Sequence, residues 1–379
     1  MFDVLVIGGG IAGVSVAGEL AAAGVDVTVV EAEPTLAYHT TGRSAAQYLI
    51  NYGDPPVRLL TAASHSFFEA GENLWSPRAF LRVGRADHEA TLRADVLKGQ
   101  RLAPETEFLD GPAIRDLVPV MREDVVAALH EPTAMELDVA AIHQAYVRMI
   151  RAAGGTIVPS APVVDLTPGP PWRVTLADGT RHEADIVVNA AGAWADDVAH
   201  MAGVGPVGLH PLRRTIAVVG VPDDVDAREW PLVGFERGDG GMDAYCKPEP
   251  GGLMVSPADE TPSEPCDARP EELDIARALD GLTSWTTLTG RHVRGSWAGL
   301  RTFAADRNPV VGSAPDQPGF FWVAGHGGYG IQMSPGLARA AAGLLLHDEL
   351  PADLRESGLD PAELAPDRPG LDGPLTPAH

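Results

Sequence analysis

The stretch that most restricts the fold is the first one, MFDVLVIGGGIAGVSVAGELAAAGVDVTVVEAE. An apolar run over residues 2–7 leads into glycines at Gly8, Gly9, Gly10 and Gly13. The pattern predicts a buried strand, a helix over 11–23 and a second strand over 25–30. These make a βαβ unit, so the fold class is α/β with a Rossmann-like parallel sheet. A pyrophosphate can approach a backbone closely only where side chains are absent. Gly8 permits the tight turn after the strand, and Gly10 lets the phosphates come near. Gly13 lets the helix pack close to the sheet, so that its N-terminal N–H groups face the anion. Glu31 ends the second strand, eighteen residues after Gly13, where a carboxylate accepts hydrogen bonds from both ribose hydroxyls. The acid disfavours NADP and leaves NAD and FAD open.

Farther along, residues 59–69 and 139–153 read as helices. Residues 184–190 and 319–324 read as buried strands that end in glycine turns, the second followed by a helix over 336–346. Residues 79–138 and 205–295 lack this rhythm and carry short alternating segments such as 214–219. They are read as one β-rich substrate-binding domain assembled from two insertions. The dinucleotide domain is then discontinuous, from 1–78, 139–204 and 296–350. Residues 351–379, rich in Pro, Asp and Glu, are predicted to be a loose tail.

The net charge of −24 argues against nucleic acid as a main partner. Lys98 and Lys247 are the only lysines among 28 basic residues, so a functional cation is expected to be an arginine, which suits a planar carboxylate. Cys246 and Cys266 are too few for a disulfide framework and have no zinc spacing, so free thiols and no metal are expected. The N-terminus lacks a basic leader, and no segment approaches the ~20 apolar residues of a membrane span. A cytoplasmic protein without an integral membrane segment is the expectation.

The motifs IGGGIAG, YHTTGRSAA, VNAAGAW, WAGLRTF and GGYGIQ, taken together, carry a more specific likeness. From Val4 to about Leu364 the chain resembles the D-amino-acid oxidase family of FAD-dependent oxidoreductases, and within it most of all the D-arginine dehydrogenases. The resemblance implies a glutathione-reductase-type fold with non-covalent FAD. The dinucleotide part would lie across Gly8, Gly10, Ile11, Ala12, Gly13, Glu31, Ala32, Arg43, Ser44, Ala45, Ala46, Ala191 and Gly192. The ring edge would face Gly327, Gly328, Tyr329, Gly330, Ile331 and Gln332, where N–H groups at a helix start can stabilise negative charge.

In the relatives two arginines grip the substrate carboxylate. Here they fall at Arg301 and at Arg213 or Arg214, of which counting from the neighbouring motifs selects Arg214. The likeness also places Tyr52 and Tyr245 over the substrate, with Gly328 and Gln332 approaching from the flavin loop. His39 is read as structural; His326 lies nearer the flavin, and neither is assigned a catalytic role. The position that holds an acid in the D-arginine enzymes becomes Phe80 here. A histidine position becomes Gln47, and a threonine position becomes Leu49. A guanidinium against Phe80 and Leu49 would lose its ion pair, at a cost of several kcal/mol. A substrate with a neutral side chain is therefore expected: a hydrophobic D-amino acid, oxidised at Cα to an imine and then an oxo acid. An N-substituted glycine, a 2-hydroxy acid or a non-catalytic flavin protein are the alternatives. Oxygen or another electron acceptor stays open.

Overall fold

The computed structural model describes residues 3–238, 241–288 and 292–377. Phe2, expected in the first strand, lies outside them. The strand is Asp3–Ile7, and it sits in the middle of a six-stranded sheet. The order is Val310–Ser313, Phe320–Ala324, Ile186–Asn189, Asp3–Ile7, Asp26–Val30, Thr156–Val158. Only Val310–Ser313 pairs antiparallel. A parallel sheet is covered on both faces, which is why these strands read as unbroken apolar runs. One face packs against helices Ile11–Ala22, Val139–Ala152 and Gly330–His347. The other is covered by an antiparallel meander, Val163–Thr167, Trp172–Leu176 and Arg181–Ala184, through Leu166, Trp172 and Val174.

The second sheet is large and mostly antiparallel, with the order Thr261–Pro262, His210–Val219, Gly252–Ser256, Met242–Glu249, Leu232–Glu236, Phe80–Gly84, Ala127–Glu131, Glu107–Asp110. The eleven-residue strand Val293–Phe303 pairs along His210–Val219. Strand alternation sorts this sheet into two faces. Leu81, Val83, Ala128, Ala217, Val219, Val233, Phe235, Cys246 and Val255 pack on one, with Leu282 and Trp285 of helix Glu272–Trp285. The residues between them point the other way, toward the glycine-rich end of the first sheet. A small sheet of Gln47–Tyr48, Met135–Leu137 and Trp75–Pro77 stands between the two.

Several boundaries differ from expectation. The helix predicted over 336–346 runs Gly330–His347, starting before Pro335. Pro335 lies in the second turn, where its missing N–H costs one backbone hydrogen bond without ending the helix. The helix predicted over 59–69 begins at Pro55, at the first helical position, where no N–H donor is needed. The predicted 184–190 strand is Ile186–Asn189, because Ala184 ends the meander.

The tail is not loose. Leu354, Leu359 and Leu364 are buried in the first core, and Arg368 pairs with Asp306 at 2.7 and 2.8 Å. Its overall composition hid three apolar anchors spaced along the chain. No helix among the described residues is long and apolar enough to cross a membrane. Burial pushes the Cys246 thiol up to about 12, whereas Cys266 is exposed. A thiol reagent is expected to label Cys266 in the native protein and to reach Cys246 only after unfolding; equal labelling rates would contradict this.

Candidate active site

Three cavities adjoin where the two sheets meet. The first, about 390 Å³, is lined by Gly8, Gly10, Glu31, Ala32, Tyr38, Ala191, Gly192 and Trp194. The second, about 130 Å³, is lined by Gly10, Ile11, Ala12, Arg43, Ser44, Ala45, Arg214, Arg301, Gly327, Gly328, Gly330 and Ile331. They share Gly10, Thr40, Thr41, Ala190 and Gly192, and so form one channel over the first helix. The third, about 910 Å³, meets the second at Arg214.

The channel fits a dinucleotide. A Cβ on Gly13 would stand 1.9 Å from the Gly8 carbonyl oxygen, and one on Gly8, at φ +113°, would stand 2.4 Å from that of Ala190. The turn therefore leaves no room for side chains beneath the helix start. Glu31 accepts from the Gly9 and Glu33 N–H groups at 2.6 and 2.8 Å, which fixes its carboxylate at the cavity edge. His143 bonds the Gly9 carbonyl at 2.9 Å from the neighbouring helix, and Thr41 Oγ1 accepts from the Ile11 N–H at 3.0 Å. Neither contact was legible in the sequence, because both join segments distant along the chain.

Strand register explains how the second sheet supplies the clamp. Leu212 pairs with Arg301 and Arg214 with Gly299, so Arg214 and Arg301 share a face, with no side chain at Gly299 between them. The same face carries Ser256 and Tyr245, which pair with each other, and then Phe80 and Glu131, which also pair. Arg213 points the opposite way and pairs with Glu271 and Asp274. The choice between Arg213 and Arg214 thus falls on Arg214 by geometry.

Arg301 is carried to the glycine loop because its strand continues there: the Gly327 N–H donates to the Thr302 carbonyl at 2.8 Å. Its guanidinium lies against Gly328, where a Cβ would stand 2.7 Å from Nη1. Nη1 donates to the Tyr52 hydroxyl at 3.2 Å. Among the described residues no carboxylate lies within ion-pair distance of Arg301, since Glu260 pairs with Arg214 and Arg307 instead. Burial works to lower the Arg301 pKa, but Tyr52, Tyr245 and Glu260 outweigh it and hold the pKa above the usual range. Burial likewise works to raise the Tyr245 pKa, yet Arg301 and Arg214 hold it below the ordinary phenol value. The buried Tyr245 hydroxyl has no partner in hydrogen-bond geometry. A guanidinium with Tyr52 as its side-chain hydrogen-bond partner, and a hydroxyl that Ser256 and Arg214 approach without a well-formed bond, are what an anionic ligand on this face would satisfy.

Some expected site residues are engaged elsewhere. The Arg43 guanidinium pairs with Asp267 at 2.5 Å and donates to the Ala268 and Ala298 carbonyls, so it ties the loop to the second sheet. Gln332 spends its amide on the Leu49 backbone and Thr61 Oγ1, at 3.0 to 3.2 Å, and holds Leu49 in place without lining a cavity. Gln47 donates to the Arg78 carbonyl at 2.7 Å and does not line the large cavity either. Ala46, at φ +58°, donates its N–H to the Ser44 hydroxyl oxygen at 3.0 Å. Tyr329 stacks edge-on against Tyr52 at 4.9 Å, behind the lining.

Leu49, Tyr52 and Phe80 do line the large cavity. So do charged groups that the sequence did not single out: Arg58, Arg82, Asp95, Lys98 and Glu131. The pocket is apolar on one wall and charged on others. Burial raises the Glu131 pKa despite hydrogen bonds from Ile50 N–H and Asn51 Nδ2. His326 lines the channel, and burial lowers its pKa to about 4, so the ring is neutral near pH 7. Folded His326 binds fewer protons than the unfolded chain between that value and ~6.5. Stability is expected to fall as pH drops through this window, and His326→Asn to flatten the fall in a pH series of thermal melts.

Comparison with known proteins agrees with this geometry. Residues 3–344 match the FAD dependent oxidoreductase family, DAO. Mitochondrial dimethylglycine dehydrogenase of Mus musculus is 28% identical over 390 residues, covering 95% of this chain and 44% of the relative. The chain thus spans under half of that protein's length. Glycine oxidase of Bacillus licheniformis is 24% identical, covering 91% of this chain and 93% of the relative. The solved structure of L-proline dehydrogenase from P. horikoshii shares the fold, with TM-score 0.83, 22% identity and coverage of 95% and 96%. The cofactor is FAD, and the chain belongs to the DAO family of FAD-dependent oxidoreductases.

Proposed function

We infer that the protein oxidises the Cα–N bond of a small amino acid or N-substituted amino acid, with the substrate carboxylate held by Arg301 and Arg214. The observation that carries this reading is the charged, enclosed Arg301 without a carboxylate partner among the described residues. Its surroundings keep the guanidinium charged while leaving most of its N–H donors free of a carboxylate, and a carboxylate offers the planar, two-oxygen partner that a guanidinium matches. FAD, when bound, supplies the acceptor for the hydride that leaves Cα.

The chain's own residues do the positioning. Arg301 and Arg214 hold the carboxylate on one face of the sheet. Tyr52, fixed by Arg301 and by its edge contact with Tyr329, closes one side. Tyr245 can turn its free hydroxyl to the bound anion. The channel residues Glu31, Gly8, Gly10 and Gly13 hold the dinucleotide. The imine product leaves to be hydrolysed by water to an oxo acid.

A D-amino acid with a neutral or hydrophobic side chain against Leu49 and Phe80 is the first candidate. An N-substituted glycine is the second, favoured by the names of dimethylglycine dehydrogenase and glycine oxidase among the relatives. Turnover of D-leucine, D-phenylalanine, sarcosine and D-arginine separates them. D-arginine is expected to be the poorest, and fast D-arginine turnover would overturn the neutral-side-chain reading.

The two neighbouring arginines offer an internal control. Arg214→Ala is expected to weaken carboxylate binding by roughly ten- to a hundredfold, the value of one charge-assisted hydrogen bond. Arg213→Ala is expected to leave binding within a few-fold, because its ion pairs with Glu271 and Asp274 face away. The reverse pattern in inhibition titrations with benzoate would refute the register argument.

A further inference from the structure

We propose that residues 374–377 form the outer wall of the large cavity and set the size of the group it admits. The proposal rests on that cavity being the substrate cavity. Leu375, Thr376 and Pro377 line it, and they lie beyond residues 3–344, the part matched to the family.

The wall's backbone is held at two atoms. The Thr376 N–H donates to the Ala305 carbonyl at 2.7 Å, and the Thr376 carbonyl accepts from Arg307 Nε, also at 2.7 Å. Arg307 is itself fixed. It is 4% exposed, and its guanidinium grips Glu260 through two hydrogen bonds of 3.2 and 2.5 Å. Its φ of +63° is a left-handed conformation, which a non-glycine residue keeps only where its surroundings hold it. Just upstream, Leu371 is buried in the meander core and Arg368 grips Asp306. A segment tied upstream at Arg368 and Leu371 and again at Thr376 is a wall rather than a trailing end. Two of its three lining side chains, Thr376 and Pro377, are exposed, which places it at the mouth.

The consequence is a limit on substrate length. A ligand anchored at Arg301 and Arg214 extends past Leu49 and Phe80 toward the mouth, and the wall stops it there. Without the wall, longer groups enter.

The test uses the full-length holoprotein with a reporter cysteine in the cavity, Leu49→Cys in a Cys266→Ser background. Two variants are added separately: deletion of residues 374–379, and Thr376→Pro, which removes the anchoring N–H but keeps the chain. The second keeps the test intact if the deletion fails to fold. Maleimide labelling of the reporter is expected to quicken by about tenfold or more in both, with FAD content unchanged, as a local opening requires. A labelling rate within about twofold of the parent in both would overturn the wall. In the Leu49 background, the ratio of Kd for 4-biphenylcarboxylate to Kd for benzoate is expected to narrow by about tenfold on deletion, and an unchanged ratio would overturn its role in size selection. Labelling needs no substrate, so it decides the wall even where benzoate fails to bind the parent, a failure that counts against the arginine clamp alone.

Discussion

Arg301→Ala is expected to lower kcat/KM for the substrate by roughly a thousandfold while costing the protein little stability. The two halves of this result come from one fact. Arg301 sits enclosed and charged against Gly328, with Tyr52 as its hydrogen-bond partner and, among the described residues, no carboxylate near enough to pair. A two-pronged guanidinium–carboxylate contact contributes about 1.5–3 kcal/mol per hydrogen bond, so its loss is worth roughly 4 kcal/mol in binding and orientation. In the free protein the same side chain makes one side-chain hydrogen bond, to Tyr52, and no ion pair among the described residues, so deleting it breaks little that holds the fold. A structural arginine would behave the other way. Arg307, bound to Glu260 and Thr376, is the contrast, since its removal takes two hydrogen bonds from the half-buried Glu260 and one from the Thr376 carbonyl. Thermal melts of the Arg301 and Arg307 variants, beside their steady-state kinetics, check the sign. A large stability loss in Arg301→Ala, with binding intact, would make Arg301 structural.

The second large effect is expected at Gly13. In Gly13→Ala the new methyl would stand 1.9 Å from the Gly8 carbonyl oxygen, and that atom belongs to backbone that cannot swing aside. Gly8 is pinned in turn, with its N–H bonded to Val30 and its Cα hydrogen facing Ala190. The helix must lift from the sheet, which costs about 3 kcal/mol by overpacking and misaims the N–H groups that face the dinucleotide. FAD is expected to be lost during purification, and the apparent melting temperature to fall. Gly328→Ala makes the comparison, because its methyl meets only the movable tip of Arg301. It is expected to keep FAD and stability but to weaken carboxylate binding. A yellow, fully loaded Gly13→Ala protein would contradict the assignment of the glycine turn.

The first sheet was readable because its signals are local. Asp3–Ile7, Gly8 to Gly13 and Glu31 lie within thirty-one residues, and apolar runs and glycines carry their meaning without distant partners. Arg301 and Arg214 were singled out through motif likeness, but the reason they share a face is register: Arg214 faces Gly299, two residues before Arg301 on the partner strand. No pattern along the chain states that pairing. The same limit explains Gln47 and Gln332, whose residue types suit a polar site but whose amides are spent on Arg78 and Leu49. Glu131, Glu260 and Arg307 went unnoticed because their value comes from partners many residues away. The tail was misread for a different reason. Three leucines diluted in proline and acid look disordered by composition, yet each fills a place in the core.

The central claim is that a carboxylate held at Arg301 presents an amine-bearing Cα to FAD. Anaerobic mixing of the purified yellow protein with D-leucine, L-leucine, glycine, sarcosine and dimethylglycine, each against the Arg301→Ala variant, tests it most directly. Loss of the oxidised flavin's visible absorbance is expected with at least one of these in the parent protein, and a rate lower by orders of magnitude in the variant. An unchanged spectrum with all of them, or equal rates in the two proteins, would contradict it.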